Sequence, residues 1–221
     1  MRRALIVLSL ALLGACNMVT TRAPLFARAD EVGAPKLRPG LWVGKPDSGC
    51  KLVPSRPLAK WPSCANGFVV ARHHVGSYDK DSRGRRTWKT APYWLVAGEP
   101  AVLQLRMTDA EIVGPGASTT AVTYVYLAMR PTKTDSAGQV TAYDAWLVLC
   151  GPPPPSDAKS PDGKLERFGT LNPVAGMTMD DSGDDCTTTS PQAVRAAAAP
   201  SESWTGPNSH LGAHWVRDGA R

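Results

Sequence analysis

The segment "AVLQLRM", residues 101–107, changes character at every step: Ala101, Leu103, Leu105 and Met107 fall on one side, Val102, Gln104 and Arg106 on the other. A period of two belongs to a β-strand with one face turned to a core. The pattern recurs. "TTAVTYVYLAMR" sets Val125, Leu127 and Met129 opposite Tyr124 and Tyr126, and "QVTAYDAWLVLC" runs from Gln139 to Cys150. Between these two, "PTKTDSAG" reads as a hairpin loop. "GLWVGK", "GFVVARHHV" from Gly67 and "AHWVRDG" are further short strand signals. "RTWKTAPYWLVAG" is aromatic-rich but contains Pro92, which predicts an edge strand or two pieces. Twenty glycines and twenty prolines supply turns between many short strands.

Helical signal is confined to the C-terminal region. "SPQAVRAAAAPSESW" predicts a helix near 190–204, with Ser190 as N-cap, Pro191 in the first turn and Pro200 as breaker. "GPPPPSDAKSPDGK", residues 151–164, predicts a semi-rigid, polyproline-like surface loop. The expected fold is mainly β: an antiparallel sandwich or small barrel with one C-terminal helix.

The N-terminus has a different character. Arg2 and Arg3 precede an apolar run, Ala4 to Leu13, which falls short of the roughly 20 residues of a spanning helix. Gly14 and Ala15 are small, as signal-peptidase cleavage requires. Leu13-Gly14-Ala15-Cys16 resembles the lipobox of bacterial lipoproteins. The resemblance implies a signal peptide over residues 1–15, cleavage before Cys16, a diacylglycerol thioether on its sulfur and an acyl chain on its new amine. Two or three chains make a stable anchor where one holds only reversibly. Asn17, where an acidic residue would favour the inner membrane, points to the outer membrane, facing the periplasm. Residues 16–36 show no sustained period and read as a lipidated, flexible tether. A single β-rich domain is expected over 37–221, beginning near "KLRPGLWVG".

Four cysteines remain: Cys50, Cys64, Cys150 and Cys186. An even remainder in an oxidising compartment argues for two disulfides. Three pairings are open, and Cys50–Cys64 with Cys150–Cys186 is preferred because each closes a loop rich in Pro, Gly or polar residues. A zinc site has no C-x-x-C pair to build on.

Loss of residues 1–15 leaves 23 Lys+Arg against 19 Asp+Glu, a mildly basic chain. No block of like charge is long enough for a nucleic-acid arm. The expected partners are the membrane, through the lipid, and an anionic lipid, an envelope polymer or a protein. Arg83, Arg85 and Arg86 gather at a predicted turn in "KDSRGRRTWK". They read first as a solvated hairpin tip, and second as an anion-binding patch, since arginine forks match phosphate geometry.

Gly40-Leu41-Trp42 resembles the glycine-x-tryptophan signature of the first lipocalin strand. It is also similar to small barrel-type protease inhibitors, in which such a strand is followed by a disulfide. The lipocalin resemblance implies that Trp42 closes a barrel floor beneath a small hydrophobic ligand. Of the seven tryptophans, Trp42, Trp94 and Trp146 are candidates for the core or for a ligand-lining role. With "LRPGLW", the paired cysteines and the lipobox, the whole chain resembles proteobacterial envelope lipoproteins, a resemblance that brings no catalytic residues.

Chemistry-bearing patterns are sparse. His73 and His74 are adjacent in a predicted strand and so face opposite ways. His210 and His214 have helical spacing, but Pro207 and Gly212 disfavour a helix there. Asp180, Asp181, Asp184 and Asp185 lack the order of a calcium-binding hand. S-x-x-K occurs twice, at Ser48…Lys51 and Ser156…Lys159, without companion motifs, and no G-x-S-x-G elbow exists. No metal, cofactor or catalytic residue is assigned. The expected function is an envelope-anchored binding or structural module, with a lipocalin-like carrier and an undetected hydrolase as alternatives.

Overall fold

The alternating strands close on themselves. In the computed structural model, which describes residues 17–46, 49–80, 84–112, 118, 120–154, 170, 172–180, 185–205 and 210–219, a meander runs β3 (Gly40–Gly44), β4 (Gly67–Ala71), β5 (His74–Lys80), β6 (Arg86–Val96), β7 (Ala101–Thr108), β8 (Val122–Thr134) and β9 (Gln139–Leu147). After a long excursion β12 (Ala213–Arg217) enters between β9 and β3, antiparallel to both, and completes an eight-stranded barrel. The excursion carries the short pair β10 (Thr178–Met179) and β11 (Cys186–Thr187), then α2 (Pro191–Ala198) and α3 (Ser201–Thr205). The antiparallel barrel, its C-terminal helix α2 and both preferred disulfides, Cys50–Cys64 and Cys150–Cys186, are as expected.

The two ends differ. At one, the strands are joined by tight connections at residues 72–73, 97–100 and 135–138; this is the floor. At the other lie the disulfide-bearing segment after β3, the short helix α1 (Asp109–Ile112) and the excursion; this is the mouth.

Three apolar layers form. Trp42, Val70, Leu95, Leu103, Val125 and Met129 pack inside the barrel. Outside β6 to β9, Val96, Val102, Tyr126 and Trp146 are covered by Val19 and Phe26 from the N-terminus and by Val194 and Ala197 of α2. Outside β3 and β4, Leu41, Val43 and Val69 lie under Leu58, Trp61 and Ala65 of the disulfide segment. Small residues at Ala193, Ala197 and Ala198 let α2 approach the sheet closely, and the Ser190 hydroxyl caps it by accepting from the Ala193 amide at 3.2 Å.

Three expectations need correction. Residues 17–36 are no loose tether: Asn17 and Val19 are buried, β1 (Thr20–Thr21) pairs with β8, and β2 (Lys36–Leu37) pairs with β9. Gln104 holds this strap. Its side chain is fully buried, accepts from the Leu25 and Phe26 amides at 2.9 and 3.0 Å, and donates to the Phe26 carbonyl. A segment without periodicity still buries its backbone when a side chain satisfies it. Second, "GFVVARHHV" is two strands joined at Arg72-His73. Third, β6 is one unbroken strand between two neighbours. The Tyr93 amide donates to His73 on the β5 side, so the adjacent Pro92 nitrogen faces the side where pairing with β7 has ended at Tyr93–Leu105. As Pro200 predicts, the helix near 190–204 is broken in two, parted at Ala199-Pro200. Of the proline-rich segment, residues 155–164 lie outside the described residues.

Gly40 shows why the first strand starts with glycine. Its φ is +130°, and a Cβ there would stand 2.5 Å from the Arg217 carbonyl oxygen and 2.8 Å from Trp215 Nε1.

Candidate functional site

Residues that alternate into the barrel do not fill it. Toward the mouth they leave an apolar cavity of about 180 Å³. Val75 of β5, Leu103 and Leu105 of β7 and Leu127 of β8 supply aliphatic walls, and Phe68 of β4 and Tyr143 of β9 supply rings. Leu211, just before β12, reaches over the opening, held there by its amide donating to the Ala145 carbonyl at 2.7 Å.

Behind two of the lining rings, toward the floor, lies Trp42. Its indole, fully buried, packs 6.3 Å from Phe68 and 5.5 Å from Tyr143, and its N–H donates to the Arg38 carbonyl at 2.9 Å. The Arg38 guanidinium lies 3.8 Å over the Trp215 ring and pairs with Asp135 and Asp218 at 3.4 and 3.3 Å. The floor is thus an aromatic plug secured by a cation.

The rim is polar, and much of its charge is internally matched. Lys89 Nζ lies 3.1 Å from Asp79 Oδ2, with the Asp79 side chain only 3% exposed. His210 Nδ1 lies 2.8 Å from Asp144 Oδ2 and its ring stacks on Trp146. Glu111 Oε2 accepts from the Thr108 amide and hydroxyl. Tyr143 stands apart. Its hydroxyl has no hydrogen-bond partner among the described residues, and burial pushes its ionisation well above the usual tyrosine range, so the group remains a neutral donor.

A second cavity, about 350 Å³, lies at the floor between barrel and strap. Its lining mixes Glu31, Lys36, Arg72 and His73 with Ala34, Leu37 and Leu95. His73 Nδ1 is 3.5 Å from Glu31. Burial, with Glu31 nearby, pushes the Tyr93 phenol up to about 12.

The structure scatters the residues singled out from sequence. Trp42 lies inside the barrel; Trp94 and Trp146 point outward into the second layer, where Trp146 donates to the Ala198 carbonyl at 2.8 Å. No tryptophan lines the mouth cavity. Trp94 and Trp146 are therefore packing residues, because they alternate with the inward Tyr93, Leu95, Ala145 and Leu147. Arg86 donates to the carbonyls of Ala59 and Trp61 at 2.8 and 2.7 Å, tying the disulfide segment to β6. Arg85 is exposed and engaged, and Arg83 lies outside the described residues. Cys16 also lies outside them. Of the paired histidines, His210 precedes β12 and His214 is exposed within it. Among the described residues no group of three or more His, Cys, Asp or Glu is placed to hold a metal ion.

Phe68 and Tyr143 are the lining residues that sequence reasoning missed. The inward parity of Leu103, Leu105 and Leu127 was readable from alternation, but whether inward residues meet or leave a gap depends on barrel closure. Comparison with protein-family models, with curated proteins and with solved structures finds no match.

Proposed function

We propose that this chain is a binding protein for a small hydrophobic molecule, held in the barrel and anchored to the cell envelope through a lipid on Cys16. The observation that carries the reading is the apolar cavity between Leu103, Leu105, Leu127 and Phe68. An apolar cavity of about 150 Å³ accepts benzene, so about 180 Å³ suits a single-ring compound or a short alkyl chain. A protein-docking role has less support: the large apolar side chains exposed among the described residues, Val32, Val53 and Trp88, stand on separate elements and form no patch.

The anchor rests on the likeness of Leu13-Gly14-Ala15-Cys16 to a lipobox, and two disulfides suit an oxidising compartment. Asn17 and Met18 amides both donate to Asp185 Oδ1 at 3.0 Å. A lipid on the preceding residue therefore holds the barrel against the bilayer with no slack.

The test of ligand binding is calorimetric titration with ethylbenzene. Wild-type protein binds it, and Leu105→Trp, which fills the cavity, weakens binding at least tenfold with the fold retained by circular dichroism. Absence of heat and of NMR shift changes at Phe68 and Tyr143 in the wild type refutes the reading. Incorporation of labelled palmitate, lost in Cys16→Ser, tests the anchor separately.

A further inference from the structure

We infer that the ligand of the mouth cavity is a neutral molecule bearing a hydrogen-bond acceptor, a carbonyl or ether oxygen, which receives the hydroxyl of Tyr143. The inference rests on the proposed role of the cavity and specifies its chemistry.

Tyr143 faces into the barrel from β9, opposite Pro131 of β8 and Ala213 of β12, with its ring against Trp42. It lies among aliphatic and aromatic neighbours and has no hydrogen-bond partner among the described residues. The other inward tyrosine is different, since Tyr93 donates to the Ala71 carbonyl at 3.1 Å. Three side-chain atoms among the described residues are enclosed without a partner: Asn17 Oδ1, Asn66 Oδ1 and Arg217 Nε. The Tyr143 hydroxyl is not one of them, and Tyr143 is partly exposed and lines the cavity. A donor left in an apolar chamber costs the full desolvation of the group unless a water or a ligand answers it. A purely hydrocarbon ligand displaces that water and offers nothing back.

The charge around the cavity disfavours a carboxylate seated at Tyr143. Of the two lysines that line it, Lys89 already pairs with the buried Asp79, and Glu111 adds a carboxylate. Lys45 is exposed at the rim. A carboxylate pushed down to Tyr143 meets no unmatched cation, whereas a neutral acceptor needs none.

A matched series decides the point. Ethylbenzene, acetophenone and benzoate have one ring each and differ in the group that reaches Tyr143. By calorimetry or NMR titration, wild-type protein is expected to bind acetophenone about fivefold or more tighter than ethylbenzene, and benzoate more weakly than acetophenone. Tyr143→Phe, which keeps the ring and removes the unanswered hydroxyl, abolishes the preference for acetophenone and does not weaken ethylbenzene. Equal binding of the two neutral ligands by wild type, a preference that survives in Tyr143→Phe, an equal loss of both ligands in that variant, or benzoate as the tightest ligand overturns the inference while the cavity stands. Failure of all three to bind overturns the cavity reading and this inference with it.

Discussion

Inside the barrel the indole of Trp42 lies 5.5 Å, centroid to centroid, from the phenol ring of Tyr143, at an angle of 35°. The contact couples the plug at the floor to the wall of the mouth cavity. A ligand that displaces water beside Tyr143 and Phe68 alters the surroundings of Trp42 through these rings. Saturating ethylbenzene is therefore expected to change the tryptophan emission of the wild type. Trp42→Phe loses most of that change; Trp88→Phe, on the outer face and 41% exposed, keeps it. Fluorescence at ligand saturation, with occupancy checked by calorimetry, makes the comparison.

The strap depends on one amide side chain. Gln104→Leu preserves volume but leaves the Leu25 and Phe26 amides and the Phe26 carbonyl without their partner. The expected cost is about 2–3 kcal/mol, read from the urea midpoint. Hydrogen exchange at Leu25 and Phe26 should accelerate more than exchange in β7. An unchanged midpoint refutes the assignment of Gln104 as the anchor of residues 17–37.

The two disulfides are expected to differ in weight. Cys150–Cys186 closes 36 residues, and its backbone holds the strap: the Cys150 amide donates to Asn17 and the Cys186 amide to Met18. Cys50–Cys64 closes 14 residues over the third apolar layer. Chain-entropy reasoning assigns about 4 kcal/mol to the longer loop and about 3 kcal/mol to the shorter. Replacing each pair by alanines and measuring denaturant unfolding should give the larger loss for Cys150–Cys186, with loosened exchange protection at Val19 in that variant alone.

Stability should fall in acid partly through α3. The Arg130 guanidinium grips Glu202 with two hydrogen bonds, at 2.6 and 2.8 Å, and holds its carboxyl below the ordinary range. Arg22 and Thr123 do the same to Asp109. A folded-state pKa below the unfolded value gives stability that is complete above the ordinary carboxylate range. It is lost as pH falls through the depressed folded value, because the unfolded chain takes up the proton first. Both pairs are at the surface, so each contributes under about 1 kcal/mol. The urea midpoint against pH should be shallower on the acid side in Glu202→Gln than in wild type; identical slopes exclude the pair as a contributor.

Much of the barrel was legible. The alternation in residues 101–107 and 122–130 identified β7 and β8 and their inward sides. Loop composition around Cys50–Cys64 and Cys150–Cys186 pointed to the pairing that is observed. Pro92 misled, because a proline is excluded from a ladder only where its nitrogen faces a partner strand, and here the partner has ended. The strap was read as loose because its backbone is satisfied by Gln104 and Asp185, 78 and 168 positions away along the chain.

By itself, the sequence determined the mainly β character and the segments that alternate. Those properties depend on neighbours a few positions apart. Closure of the sheet by β12, the outward aim of Trp94 and Trp146, the capture of Arg86 by two carbonyls and the gap beside Tyr143 were decided only by tertiary structure. Each depends on how distant strands meet in register, and a one-residue shift in that register exchanges the inside of the barrel for the outside.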